Sequence, residues 1–199
     1  MISVINYGLG NLQSLSNALT YLGHEHIVTY DLKIIENSEI IILPGVGNFG
    51  YAMNELIKKK LNEKITNHVN NNKKLIAICL GMQLLLTGSE EEESAKGLNI
   101  INGTARKLKI SSSGEPLPHI TWKNIELKKN DEKIFFSEKF YFVHSYYCDV
   151  NSENILATTR YNNEKFASII STKNCFGVQF HPEKSGDPGL ELLNYFLKR

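Results

Sequence analysis

One cysteine of this chain stands where a nucleophile would. Cys79 closes the apolar run Leu75-Ile76-Ala77-Ile78 and is followed by Leu80-Gly81-Met82-Gln83. A buried strand that delivers a side chain to a tight turn opening a helix holds that side chain up at the carboxyl edge of a sheet. The helix start lends partial positive charge to the sulfur and favours thiolate, the reactive form. Gly81 lets such a turn pack closely. The same segment also reads as a core cysteine, since free cysteines are among the most buried residues.

A nucleophilic cysteine needs a base, and His181-Pro182-Glu183 supplies one directly after the strand-like run Gly177 to Phe180. In an extended segment residues i and i+2 point to the same side. His181 and Glu183 can therefore face one place, Pro182 stiffening the link and Glu183 orienting the imidazole. A surface turn with an incidental ion pair is the other reading. A third piece is Pro44-Gly45-Val46-Gly47, at the end of the apolar run Ile40 to Leu43. Two glycines around one residue free a peptide plane to aim its N–H at a ligand. That N–H, with the backbone N–H of Leu80, can hold a developing oxyanion, making Gly45, Val46, Gly47 and Leu80 the candidate oxyanion group. The turn can equally be a plain strand-to-helix connection. Val46 between two glycines also implies a peptide with two orientations, only one of them competent.

These residues must be carried by a sheet. Ile2 to Asn6, Ile27 to Tyr30, Ile40 to Leu43 and Leu75 to Ile78 read as strands. Helical spacing recurs over Leu12 to Leu22, ended by Gly23, over Ala52 to Ile65 as one helix, and after Cys79. Strand and helix alternating at this spacing predict an α/β fold with a mostly parallel central sheet flanked by helices. Beyond about residue 96 short strands replace the helices: Ala105 to Ile110, Trp122 to Leu127, Phe140 to His144, Ile155 to Thr159, Ala167 to Ile170 and Gly177 to Phe180, before a last helix Gly189 to Leu197. The acidic run Glu90 to Glu93 reads as a solvated helix end, and Lys58 to Lys60 as the outer face of a helix.

Composition narrows the classes. The chain has 199 residues, 42% hydrophobic and 22% charged, with 22 Lys and Arg against 21 Asp and Glu. That length predicts one domain over 1–199, large enough to bury a core without staples. Near-zero net charge removes an electrostatic case for nucleic acid or an anionic membrane. Three cysteines make no disulfide framework, and Met1 leads straight into a strand without a signal segment, so a reduced, cytoplasmic protein is expected. His24 and His26 flank Glu25 without a second ligand cluster, so no metal is expected. Tyr7-Gly8-Leu9-Gly10-Asn11 lacks the third glycine of a dinucleotide fingerprint and reads as a tight turn, so no cofactor is expected. Cys148 and Cys175 read as bystander thiols, and His119 and His144 as supporting residues.

Cysteine elbow, glycine-flanked turn and downstream His-x-Glu, in this order, closely resemble the class I (triad) glutamine amidotransferases, whose fold is flavodoxin-like. The likeness runs from Asn6-Tyr7-Gly8 to the last helix. It is carried by Gly45-Val46-Gly47, Cys79-Leu80-Gly81-Met82-Gln83, Leu117-Pro118-His119-Ile120-Thr121-Trp122, Phe142-Val143-His144-Ser145-Tyr146 and Phe180-His181-Pro182-Glu183-Lys184-Ser185. It is strongest to members that act as glutaminase subunits beside a (β/α)8 cyclase/synthase in histidine biosynthesis. The resemblance implies a Cys79–His181–Glu183 triad that hydrolyses L-glutamine. It implies that Gln83 and Glu91 hold the glutamine head group, with backbone of Gly47, Ser145 and Tyr146. It implies that Asn11, Trp122, Tyr141 and Lys184 meet the cyclase in a heterodimer into which ammonia passes. Ala77 departs from the usual glycine of the elbow, and Thr121 and Lys123 from the usual Gly and Asn around the tryptophan. Those last two fall on the partner side, so a sugar amidotransferase of surface-polysaccharide synthesis remains the alternative acceptor system, and a stand-alone cysteine hydrolase the alternative mode of action.

Overall fold

The computed structural model describes residues 1–109, 116–128, 138–162 and 164–199. The elements run β1 (Ile2–Ile5), α1 (Leu12–Tyr21), β2 (His26–Thr29), α2 (Leu32–Asn37), β3 (Ile40–Leu43), α3 (Phe49–Lys58), α4 (Leu61–Asn70), β4 (Lys74–Ile78), α5 (Leu80–Leu84) and β5 (Gly88–Ser89). They continue with β6 (Gly103–Lys107), β7 (His119–Asn124), β8 (Glu126–Leu127), β9 (Lys139–His144), β10 (Tyr146–Val150), β11 (Ile155–Tyr161), β12 (Glu164–Thr172), β13 (Cys175–Val178) and α6 (Gly186–Lys198).

The main sheet has the order β2-β1-β3-β4-β13-β12-β11-β8. Its first five strands are parallel, and β12, β11 and β8 follow in turn, each antiparallel to the strand before it. Two smaller sheets, β10-β6-β5 and β7-β9, complete the strands. The apolar runs of β3 and β4 are continuous because both faces are covered. Leu43, Leu75 and Ala77 join a core with residues of α3, α4 and α5 on one face, whereas Ile42, Ile76 and Ile78 join Leu15, Leu19, Leu193 and Phe196 on the other. Among the described residues no helix is long and apolar enough to cross a membrane.

Several expectations need correction. The helix expected through Ile65 is two, because Lys60 adopts φ 59° and breaks the chain direction between α3 and α4. Helix α2 escaped notice because it is short; Asp31 caps it by accepting the N–H groups of Lys33 and Ile34. The strand expected over Trp122 to Leu127 is divided between β7 and β8, which belong to different sheets. Of the strand expected over Ala105 to Ile110, Ile110 lies outside the described residues. The acidic run ends no helix: the Phe49 N–H donates to Glu91 Oε2 at 2.7 Å, so Glu91 caps the start of α3. The basic run is not simply a solvated face either, since Lys59 Nζ donates to the Tyr7 carbonyl at 3.2 Å.

Gly81 is where the two halves of the elbow touch. A Cβ there would lie 2.0 Å from the Leu43 carbonyl oxygen, a backbone atom that cannot move aside without dragging β3. Gly81→Ala should therefore lower stability by about 3 kcal/mol, the upper end of the usual cost of overpacking. The urea midpoint measures this; a wild-type midpoint would mean that β3 yields to a methyl group.

Candidate functional site

Cys79 follows β4 with φ 55° and ψ −111°, a conformation that non-glycine residues rarely adopt. Such strain persists only where surroundings over-determine it. Here the Cys79 N–H donates to the Val178 carbonyl at 2.7 Å, and the Cys79 carbonyl accepts from Met82 and Gln83 at the start of α5. Ala77, two residues earlier, pairs with Gly177 in the neighbouring parallel strand. The methyl group that the elbow carries in place of the usual hydrogen thus sits beside a residue with no side chain.

His181 is fixed from the other side. Its N–H donates to the Tyr141 carbonyl at 2.9 Å; the Ser185 hydroxyl donates to the His181 carbonyl at 2.6 Å and accepts from the Tyr141 N–H at 3.0 Å. Strand β9 thereby clamps the turn that follows β13. His181 Nδ1 donates to Glu183 Oε1 at 2.8 Å, with both side chains 3% exposed. Nε2 is left to face Cys79; it is buried and makes no hydrogen bond among the described residues. Catalytic hydrogen bonds are often long until substrate tightens the site. Burial alone would pull the His181 pKa down, but the Cys79 sulfur and the Glu183 carboxylate outweigh it and push it up to about 10.

The third piece lies against the elbow. A Cβ on Gly45 would fall 2.7 Å from the Tyr7 hydroxyl, 2.8 Å from the Gly81 nitrogen and 2.9 Å from Leu80 Cβ. Tyr7 is itself buried, and its hydroxyl donates to the Pro44 carbonyl at 2.8 Å. Gly47, by contrast, takes φ 97° with open space where a side chain would be. The turn is tightly packed at Gly45 and open to solvent or space at Val46 and Gly47.

A cavity of about 380 Å³ is lined by Val46, Gly47, Cys79, Leu80, Gln83 and Glu91 from the N-terminal half, and by Pro118, Val143, His144, Ser145, Tyr146 and His181 from the rest. The residues expected to hold catalysis, oxyanion and substrate therefore converge, with Gly45 and Glu183 one layer behind. Asn11, Trp122, Tyr141 and Lys184 are outside the cavity. Trp122 and Tyr141 rings lie 5.7 Å apart, Lys184 Nζ stands 6.0 Å over the Tyr141 ring, and Asn11 opens α1, which packs on the 182–184 turn.

His144 was expected only as a support, yet it lines the cavity. Burial and the neighbouring His119 lower its pKa to about 3, so it is neutral, and its Nδ1–H donates to the Tyr146 carbonyl at 2.9 Å. His119 Nδ1 lies 3.1 Å from His144 Nε2. Gln179, 3.8 Å from the Cys79 sulfur through Nε2, was missed. The alternation that pairs His181 with Glu183 also places Gln179 on the side of His181, and could have found it. Cys148 and Cys175 are buried with their thiol pKa values pushed up by desolvation. The His24 and His26 rings are engaged by Asn194 and Ser16.

The raised His181 pKa has a signed consequence. Below about 6.5, folded and unfolded chains both carry the imidazole proton; between about 6.5 and about 10 only the folded chain does, and its stabilisation is lost as pH rises through that window. Wild-type thermal stability should fall across this window, and Glu183→Gln should flatten the fall by weakening the hold on the imidazolium. Equal slopes would mean that Glu183 does not hold the charge.

The family described as "Glutamine amidotransferase class-I" matches residues 3–199. The chain is 40% identical over 201 residues to the imidazole glycerol phosphate synthase subunit HisH of Chlorobaculum tepidum, covering 98% of each protein. It is 38% identical to imidazole glycerol phosphate synthase hisHF of Schizosaccharomyces pombe, matching 99% of this chain but 38% of that longer protein. A crystal structure of a glutamine amidotransferase superimposes with TM-score 0.79 at 17% identity, covering 100% of this chain and 98% of that one, a likeness of fold.

Proposed function

The chain belongs to the class-I glutamine amidotransferases, and from that premise we propose that its cavity hydrolyses L-glutamine and supplies the ammonia to a synthase/cyclase partner subunit. The observation that carries this reading is the elbow cysteine facing a histidine whose other nitrogen is held by a buried carboxylate, beside a glycine-flanked turn.

The chemistry follows from the charges. Cys79 thiolate attacks the side-chain carboxamide carbon of glutamine. The oxyanion rests against the Leu80 N–H and an N–H of the Gly45–Gly47 turn. His181, held as imidazolium, gives its proton to the departing nitrogen, leaving ammonia and a γ-glutamyl thioester. His181 then takes a proton from water, hydroxide adds to the thioester, and glutamate leaves as the thiolate re-forms.

Gln83 spends both amide hydrogens on protein, one on the Tyr146 carbonyl at 2.9 Å and one toward Gln179 Oε1 at 3.3 Å. What it offers a ligand is its oxygen. With the Glu91 carboxylate it presents acceptors to one end of the cavity, the chemistry that suits the ammonium of an amino acid. Ser145 and Tyr146 line the same wall.

The partner is read from the surface. Ile120 and Trp122 project from one face of β7 and remain 59% and 47% exposed. Exposed apolar neighbours of this size mark a docking face. Tyr141, beside Trp122, is also the residue that clamps His181, so a protein seated here bears on the catalytic base. We assign to this face a (β/α)8 subunit of imidazole glycerol phosphate synthase, which would join the released ammonia to its substrate and form imidazole glycerol phosphate and AICAR in histidine biosynthesis. The HisH relatives and the longer hisHF protein support that choice. The open Val46–Gly47 peptide supplies the coupling: it adopts its competent orientation when the partner docks.

Cys79→Ala should lower glutamine hydrolysis by about 10⁴-fold or more with the fold intact, the order of loss when a nucleophile is removed. Undiminished ammonia release would overturn the assignment. The isolated chain should turn glutamine over slowly and accelerate when the synthase subunit and its ribonucleotide ligand are added. Full turnover alone would favour a stand-alone hydrolase; activation by a sugar-amidating partner instead would change the acceptor.

A further inference from the structure

We propose that Gln179 is a positioning residue for the hydrolysis, whose side-chain N–H donates to the Cys79 sulfur in a direction imposed by the Tyr146 carbonyl through Gln83.

Gln179 is fully buried just beyond β13, and its backbone N–H is held by the Ser168 carbonyl at 2.9 Å. Its side chain reaches two groups of the site: Nε2 lies 3.8 Å from Cys79 Sγ and Oε1 lies 3.3 Å from Gln83 Nε2. A glutamine amide can be turned end for end, so its neighbours must decide which end faces the sulfur. The Tyr146 carbonyl decides, because a carbonyl only accepts. It receives the Nδ1–H of His144 and one N–H of Gln83, each at 2.9 Å. The Gln83 nitrogen is thereby fixed, its second hydrogen points at Gln179, and Gln179 must answer with oxygen. Its NH2 group then faces the sulfur. Turned the other way, Gln179 would set oxygen against the thiolate and NH2 against NH2.

The sulfur has a second contact with the opposite preference. Cys79 Sγ lies 3.9 Å from the Val143 carbonyl, which can accept from a thiol but repels a thiolate. The two contacts sort the protonation states: thiol toward Val143, thiolate toward Gln179 and His181. Hydrogen bonds to charged groups are the stronger kind, so Gln179 stabilises the attacking thiolate and again the thiolate that leaves when the thioester is cleaved. Of the other titratable groups near the sulfur, Tyr7 and Cys148 are kept protonated by burial and His144 is neutral; the charges that face the cavity are His181, with Glu183 behind it, and Glu91 at the start of α3.

The inference rests on Cys79 being the nucleophile, and the test separates the two. The full-length chain is alkylated with iodoacetamide across pH, and the modified cysteine is identified by peptide mass. In wild type the fast adduct should form on Cys79; an adduct on another cysteine would overturn the reading of Cys79 itself. In Gln179→Met, which keeps bulk but cannot donate, the midpoint of the alkylation curve should move up by about one pH unit. In Gln179→Glu, which keeps the shape and the acceptor for Gln83 but adds a like charge, it should move further in the same direction. Thermal unfolding shows whether each variant is folded, and the glutamate variant preserves packing if methionine does not. Folded variants with Cys79 curves superimposed on wild type would overturn the proposal while leaving Cys79 as nucleophile.

Discussion

The site depends on one strained residue. Cys79 holds a left-handed φ between the end of β4 and the start of α5, and neither element can shift to relieve it. β4 is locked between β3 and β13. Helix α5 is pressed against β3 so closely that Gly81 has no room for a methyl group. The N–H of the strained residue is spent on Val178, in the strand whose continuation carries His181. The elbow, the glycine-flanked turn after β3 and the histidine after β13 therefore occupy three adjacent strand ends. Parallel pairing makes this possible, because it brings the carboxyl ends of β3, β4 and β13 to one edge.

Polarity is layered around that edge. The buried Glu183 holds His181 from behind, and the backbone of β9 and Ser185 fixes the turn that carries both. On the opposite side the Tyr146 carbonyl organises His144, Gln83 and, through Gln83, Gln179. The cavity between these supports is lined by Gln83 and Glu91 on the N-terminal side and by His144, Ser145, Tyr146 and His181 on the other. Ile120 and Trp122 of β7 and the neighbouring Tyr141 extend the same supports to the surface, so the exposed apolar face is continuous with the contacts that hold His181.

Much of this was legible in the sequence because it is local. The elbow announces itself through an apolar strand meeting Cys-Leu-Gly, and the i, i+2 spacing of His181 and Glu183 states their common side. The parallel half of the sheet follows from alternating strand and helix signals. What escaped was set by contacts remote in sequence. The role of Glu91 at the start of α3 depends on a loop 42 residues away, so an acidic run read by itself looked merely solvated. The break at Lys60 carries no glycine or proline to mark it. The division of residues 119–127 between two sheets is a matter of tertiary pairing, which strand propensity does not contain. Gln179 lay within reach of the alternation argument but acquires meaning only when Gln83 and Tyr146 are seen beside it.

Covalent chemistry at one sulfur, Cys79, is what glutamine hydrolysis by this site requires. A glutamine-derived electrophile, such as a diazoketone analogue of glutamine, should react with the protein in the presence of its synthase partner to give a single adduct, mapped by peptide mass to Cys79, and excess L-glutamine should protect against it. Labelling at Cys148 or Cys175, or no covalent adduct under conditions where glutamine is turned over, would contradict the assignment of the elbow cysteine as nucleophile.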